Sequence, residues 1–137
     1  MKLCWTQEEA EYHGKYYDFP PVRSFPKPAQ KPYPPILIGG MAPNVLKRIV
    51  AHADGWLPNR VTPAEIENSR KELATLCAAA GRDPASIQIV IYGQAAERAH
   101  VQSLLDAGAD SVVLKPEWVE TEKEMGDQLE RMAEAVF

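Results

Sequence analysis

From Ile36 to the end of the chain, short apolar runs alternate with longer stretches in which apolar residues return every third or fourth position. The short runs predict strands and the longer ones amphipathic helices, and their regular alternation predicts βα units on a parallel sheet. Four units can be counted. The first is ILIGG (Ile36–Gly40), then a helix from Pro43 to Ala53 on which Val45, Leu46, Ile49, Val50 and Ala53 share a face. Pro43 suits the first helical position, and Gly55 closes the helix. The second is GWLPN (Gly55–Asn59), followed by a helix announced by Thr62, Pro63 and Glu65, a capping box with proline in its first turn. Its core face is Ile66, Leu73, Leu76, Cys77 and Ala80, with Gly81 and Pro84 as terminators. The third is IQIVIYG (Ile87–Gly93) and a helix from Ala95 to Ala107 that buries Val101, Leu104 and Leu105 and stops at Gly108. The fourth is SVVLKP (Ser111–Pro116) and a helix from Thr121. There Thr121 and Glu124 form a second capping box, and Met125, Leu129, Met132 and Val136 recur at helical spacing.

Residues 1–35 follow another rule. Prolines crowd between Pro20 and Pro35, and aromatics cluster at Tyr12, Tyr16, Tyr17, Phe19 and Phe25, so regular helix is excluded over most of the segment. EYHGKYYDF (Glu11–Phe19) alternates around Gly14 as a short hairpin would, and PKPAQKPYPP should run extended. The segment reads as a surface excursion that delivers the chain to the strand at Ile36.

Composition narrows the function classes. With 137 residues, 45% hydrophobic and 25% charged, the chain is of the soluble globular type and long enough for one core. A formal net charge of −4 leaves no broad basic surface for nucleic acid or an anionic membrane. No apolar run approaches the roughly 20 residues of a spanning helix, and the acidic start MKLCWTQEEAEYHGK is unlike a signal peptide. Two cysteines far apart, Cys4 and Cys77, fit a reduced cytoplasm, with Cys77 as a small buried hydrophobe.

The segment richest in chemistry is PPILIGGMAPNVLKR (Pro34–Arg48), an apolar strand that ends in two glycines just before a helix. Two glycines permit a sharp turn and close approach by a ligand, and the helix start offers unpaired amides and a positive dipole end. An anion such as a phosphate is suited to that spot, although strand–Gly–Gly is also an ordinary corner. GGMAPN has neither the lysine and hydroxyl of GxxxxGK[ST] nor GxGxxG spacing, which excludes a P-loop and a dinucleotide fingerprint.

In wording as well as spacing, HGKYYDF, PKPAQKPYPPILIGG, DGWLPN, TPAEI, AGRDP and AGADSVVL resemble the luciferase-like monooxygenase family, at positions of its C-terminal half. The resemblance implies a partial (β/α)8 TIM barrel: about four parallel βα units over 36–137, an incomplete domain preceded by the 1–35 excursion. A whole barrel of this kind takes about 250 residues. It further implies an F420- or flavin-dependent oxidoreductase or monooxygenase. The pattern looks most like the branch using coenzyme F420, a deazaflavin, while the same half also serves FMN-dependent members. The cofactor would lie across the C-terminal mouth with its phosphate near the glycine turn, which points to Gly39, Gly40, Met41, Ala42, Pro43 and Asn44. Their role would be binding, with hydride or oxygen chemistry carried by the cofactor.

At the end of the second strand, Pro58, Asn59 and Arg60 should face the same mouth, where Arg60 could pair with an anion of cofactor or substrate or simply be solvated. Lys115, ending the fourth strand, carries the same two readings. No catalytic residue can be named: His13, His52 and His100 have no visible acid or nucleophile partner, with His100 on an outward helical face. No metal set is apparent. Trp56 is expected in the barrel wall, and Trp118 in a loop where it lines a pocket, an interface or the surface. The alternative to an enzyme is a non-catalytic half-barrel that binds a phosphorylated small molecule or a partner chain. Open strand edges make self-association the expected behaviour, with a small molecule as substrate and neither nucleic acid nor membrane as partner.

Overall fold

A computed structural model describes all of residues 1–137 and divides into two compact units, Met1–Pro35 and Ile36–Phe137. In the first, a short helix α1 (Lys2–Thr6) precedes an antiparallel hairpin of β1 (Ala10–His13) and β2 (Asp18–Val22). The hairpin is closed by the Gly14 amide donating to the Tyr17 carbonyl at 2.9 Å, and Tyr12 stacks on Phe19 with centroids 6.3 Å apart. The Lys27 ammonium donates to the carbonyls of Cys4 (2.8 Å) and Gln7 (2.6 Å), satisfying the end of α1. The sequence pattern gave no sign of α1, because a single turn of helix has too few residues to show a period.

The second unit is a sheet of four strands in the order β3 (Leu37–Gly39), β4 (Gly55–Leu57), β5 (Gln88–Gln94) and β6 (Ser111–Leu114), all parallel. Helices α2 (Val45–His52), α3 (Pro63–Ala80), α4 (Arg98–Asp106) and α5 (Glu122–Val136) follow them one by one. This is the expected run of four βα units, the partial barrel of the sequence reading.

Alternation along the strands sorts the core. Trp56, Ile89 and Ile91 are at most 1% exposed and pack with Ile49, Ile66, Leu73, Cys77 and Leu104 from the helices. Each such side chain withdrawn from water contributes about 1.5–3 kcal/mol. Both capping boxes form, Thr62 with Glu65 and Thr121 with Glu124, because the hydroxyl accepts from the third amide while the carboxylate accepts from the cap amide. Hydrogen bonds from the Thr62 amide and hydroxyl hold the Glu65 carboxyl below its ordinary value, and those from the Thr121 hydroxyl and amide do the same for Glu124.

Several local expectations change. Helix α2 begins at Val45 with Asn44 as its cap, so Pro43 lies in the preceding turn; Gly55 opens β4, and the helix closes at Ala53. Helix α4 starts at Arg98 rather than Ala95. Ala80 is exposed, as are Leu105 at 37% and Leu129 at 50%. On α5 the inward positions are Met125, Gln128, Met132 and Val136, all half-buried, so the stripe carries a polar member where Leu129 was expected.

The rim where the strands begin is held by charged side chains. Arg70 of α3 donates to the carbonyls of Gly108 (2.8 Å) and Ile87 (2.9 Å) and pairs with Asp110, which also accepts from the Ile89 amide. Arg82 donates to the carbonyls of Ile49, Val50 and Ala53 at 3.3, 3.0 and 2.8 Å, closing the C-terminal end of α2. Asp54 accepts from the Ile36 amide at 2.9 Å.

Candidate functional site

Because all four strands are parallel, the segments after Gly39, Leu57, Gln94 and Leu114 emerge at one rim. The Gly40 turn and the Pro58–Arg60 segment leave adjacent strands, since Gly39 is paired with Leu57. Gly39, Gly40, Met41, Ala42, Pro43, Asn44, Asn59 and Arg60 are all exposed there.

The turn is built around one anchor. Trp56 is buried in the sheet, and its indole Nε1 donates to the Gly40 carbonyl at 2.9 Å. In a trans peptide the carbonyl and the next amide point in opposite directions. Tying the Gly40 oxygen to the indole therefore turns the Met41 N–H away from that ring. Gly40 has φ +94°, a conformation that L side chains rarely adopt, and a Cβ placed there would meet nothing within 4 Å. The space beside the turn is open.

Several backbone donors of the segment are unpaired. The Val45 amide donates to the Ala42 carbonyl at 2.8 Å, while the amides of Met41, Ala42 and Asn44 have no backbone acceptor within the turn. The carboxamide of Asn44 does not cap α2, which leaves it available as well. Helix α2 adds the first-turn amides of Leu46 and Lys47 and the positive end of its dipole. Donors of this kind have the chemistry to meet a small oxyanion, and the segment has no proton-transfer group of its own.

Next to it, Pro58 is buried and its carbonyl accepts from the Tyr92 amide at 2.8 Å. The Asn59 carbonyl accepts from the Gln94 side-chain amide at 2.9 Å, whereas the Arg60 guanidinium makes no ion pair or hydrogen bond within the chain. Lys115, Pro116, Glu117, Trp118 and Met125 line a shallow cleft of about 360 Å3 after β6, in which Trp118 is 91% exposed. A larger apolar cavity of about 650 Å3 lies between α4, β6 and the chain end, away from the glycine turn.

Two rim residues escaped the sequence reading. Gln94 donates to the carbonyls of Asn59 and Tyr92 (3.1 Å), and its Oε1 accepts from His100 Nε2 at 2.8 Å, so its hydrogen-bonding groups are all engaged. His100 is half-buried against Gln94 and not on an outward face. The available signal was Gly93, at φ +78° beside a register shift between Tyr92 and Gln94: a glycine near a strand end marks a bulge that re-aims the next side chain. His13 also has an acid partner, Asp18 at 2.6 Å, because the hairpin register sets them opposite each other. No three or more His, Cys, Asp or Glu side chains group as a metal site, and no helix is long and apolar enough to cross a membrane.

Known proteins resemble this chain in sequence and in fold. An uncharacterized protein of Mycobacterium tuberculosis is 44% identical over 87 residues, 61% of this chain and 29% of the relative. An FMNH2-dependent dimethylsulfone monooxygenase of Pseudomonas putida is 42% identical over 40 residues, 29% of this chain and 11% of that protein. Among solved structures, the coenzyme F420 dependent tetrahydromethanopterin reductase from Methanopyrus kandleri superposes with TM-score 0.65 at 14% identity, over 82% of this chain and 53% of the reductase. The chain thus spans well under two thirds of the length of these proteins. The family model for luciferase-like monooxygenases matches residues 1–135, the excursion as well as the four βα units, and the chain belongs to that family.

Proposed function

We propose that the chain is the cofactor-phosphate-binding portion of an F420- or FMN-dependent oxidoreductase, with Gly39, Gly40, Met41, Ala42, Pro43 and Asn44 holding the phosphate. The observation that carries this reading is the Trp56–Gly40 bond. It turns the Met41 amide away from the buried indole, in a segment where the amides of Ala42, Asn44 and the first turn of α2 are also without backbone acceptors. Similarity to an FMNH2-dependent monooxygenase and, in fold, to an F420-dependent reductase supports a cofactor of one of these two kinds.

The residues present suit such a group. A phosphate tail needs several donors and room for its oxygens, and the turn supplies unpaired amides and, beside Gly40, open space. Asn44 adds a side-chain donor, and Arg60, on the neighbouring strand end, adds a mobile cation for a second anionic group of cofactor or substrate. Once bound, the cofactor supplies the hydride or oxygen chemistry. The chain's part is to bind it and to orient it across the rim.

Titration of the chain with FMN, with reduced FMN and with F420 tests the proposal, side by side with Gly40→Val. Bulk in the open space should weaken binding by about tenfold or more, equivalent to roughly 1.4 kcal/mol. Equal affinity of the two proteins for every cofactor would overturn the assignment.

A further inference from the structure

The rim uses one device at two adjacent strand ends. After β3, the Gly40 carbonyl is held by a side-chain donor from the neighbouring strand, Trp56 Nε1 of β4. After β4, the Asn59 carbonyl is held by a side-chain donor from the strand beyond, Gln94 Nε2 of β5, at 2.9 Å. A trans peptide sends the amide after a held carbonyl the opposite way, so the first bond orients the Met41 amide and the second the Arg60 amide. Gln94 is itself held. Its Nε2 also donates to the Tyr92 carbonyl at 3.1 Å, and its Oε1 lies 2.8 Å from His100 Nε2.

The chemistry of these contacts fixes the protons. Carbonyl oxygens only accept, so the amide nitrogen of Gln94 must face Asn59 and Tyr92, and its oxygen must face the imidazole. That oxygen also only accepts, so His100 Nε2 carries a hydrogen, and in the neutral ring Nδ1 is bare. With the proton on Nδ1 instead, the ring would favour the reversed carboxamide, which sets an oxygen against two carbonyl oxygens. His100 reaches the strand end because it lies in the first turn of α4, where side chains lean back toward the start of the helix.

We propose that His100 is a positioning residue: by donating to Gln94 it fixes the carboxamide in the orientation that pins the Asn59–Arg60 peptide. Arg60 is thereby set as a second anion contact, one strand from the glycine turn, for a phosphate or carboxylate oxygen of the cofactor. The ligand in this proposal rests on the cofactor reading, whereas the positioning rests on the hydrogen bonds alone.

Nuclear magnetic resonance of the full chain without cofactor tests the positioning. Ring nitrogen shifts of neutral His100 should place its proton on Nε2, and a proton on Nδ1 overturns the proposal. Relaxation should give the Arg60 amide an order parameter near the rigid-backbone value of about 0.85. In Gln94→Met and His100→Leu it should fall below about 0.6, and His100→Gln, whose amide can still donate to Gln94, should restore it. An Arg60 amide as mobile in the wild-type chain as in these variants overturns the proposal, and the wild-type measurements hold even if a variant fails to fold. Titration with FMN, reduced FMN and F420 tests the ligand. His100→Leu should weaken binding about three- to tenfold, the equivalent of one neutral hydrogen bond, and His100→Gln should recover most of it. In an Arg60→Ala background His100→Leu should cost nothing further, because it acts through Arg60. Wild-type affinity in His100→Leu, or a full additional loss in the Arg60→Ala background, overturns the anion role even where Gly40→Val still abolishes binding. If no cofactor binds the wild-type chain while the ring and Arg60 results hold, the cofactor reading fails and the positioning stands.

Discussion

Replacing Gly40 by alanine separates backbone strain from ligand obstruction, because Gly81 provides a matched control. Both glycines have positive φ, +94° and +65°, and at both a Cβ would meet nothing within 4 Å. Neither substitution can clash, so whatever stability is lost comes from the backbone. Left-handed conformations cost an L-residue about 1–2 kcal/mol, and the narrowed unfolded ensemble of alanine returns about 0.4–1 kcal/mol. At +65°, inside the left-handed well, Gly81→Ala should cost about 0.5–1 kcal/mol; at +94°, outside it, Gly40→Ala should cost about 1–2 kcal/mol. Urea denaturation followed by far-UV circular dichroism measures both, with unchanged slopes if only strain is added. Cofactor titration then splits the pair: Gly40→Ala should lose several-fold in affinity for FMN or F420, and Gly81→Ala, at the end of α3, should lose none. If Gly40→Ala is as stable as wild type, the turn does not hold its positive φ. If both variants bind as wild type does, the phosphate lies elsewhere.

Arg82→Ala removes the guanidinium from the carbonyls of Ile49, Val50 and Ala53 and should cost about 2 kcal/mol in urea denaturation, with Arg82→Lys recovering less than half because an ammonium cannot reach the Ser86 hydroxyl at the same time, as the guanidinium does through Nε. Gln94→Ala removes the donor to the Asn59 carbonyl, so amide exchange of Asn59, Arg60 and Val61 should accelerate while the core amides of Ile89 and Ile91 stay protected. Unchanged exchange of that loop would show that Gln94 does not hold it. The cap hydrogen bonds lower the carboxyls of Glu65 and Glu124 below 4.5. A depressed folded value means that their contribution is complete above the unfolded pKa and is lost as pH falls through the folded one. The melting temperature should therefore drop as pH is taken below about 4.5, and Glu65→Gln with Glu124→Gln, which keep the cap but cannot titrate, should flatten part of that decline.

The βα units were legible because each is written twice, once in hydrophobic period and once in punctuation. Thr62 with Glu65, Thr121 with Glu124 and the left-handed Gly81 are local chemistry that survives folding unchanged. The end of helix α2 at Ala53 was legible, but its start and its terminator were misread because partners distant in sequence set them: the Trp56 bond shapes the turn before it, and Arg82, not Gly55, closes its last carbonyls. The same holds for the rim. The Gly39–Asn44 turn was visible as a glycine pair before an amphipathic stretch, whereas the Gln94–His100–Asn59 set depends on a bulge at Gly93 that period alone does not encode. Leu129 was assigned inward by spacing, yet tertiary packing turns Gln128 in its place.

The charged clasps of Arg70, Arg82, Asp54 and Asp110 all sit where strands begin, and none reaches the glycine turn. Endurance is thereby concentrated at the pole opposite the proposed binding turn. Segments such as Met41–Asn44 or Lys115–Thr121 can be exchanged, lengthened or grafted to suit a new ligand while the fastening at the far pole goes undisturbed. That is the physical basis on which one scaffold can diversify its chemistry without renegotiating its fold.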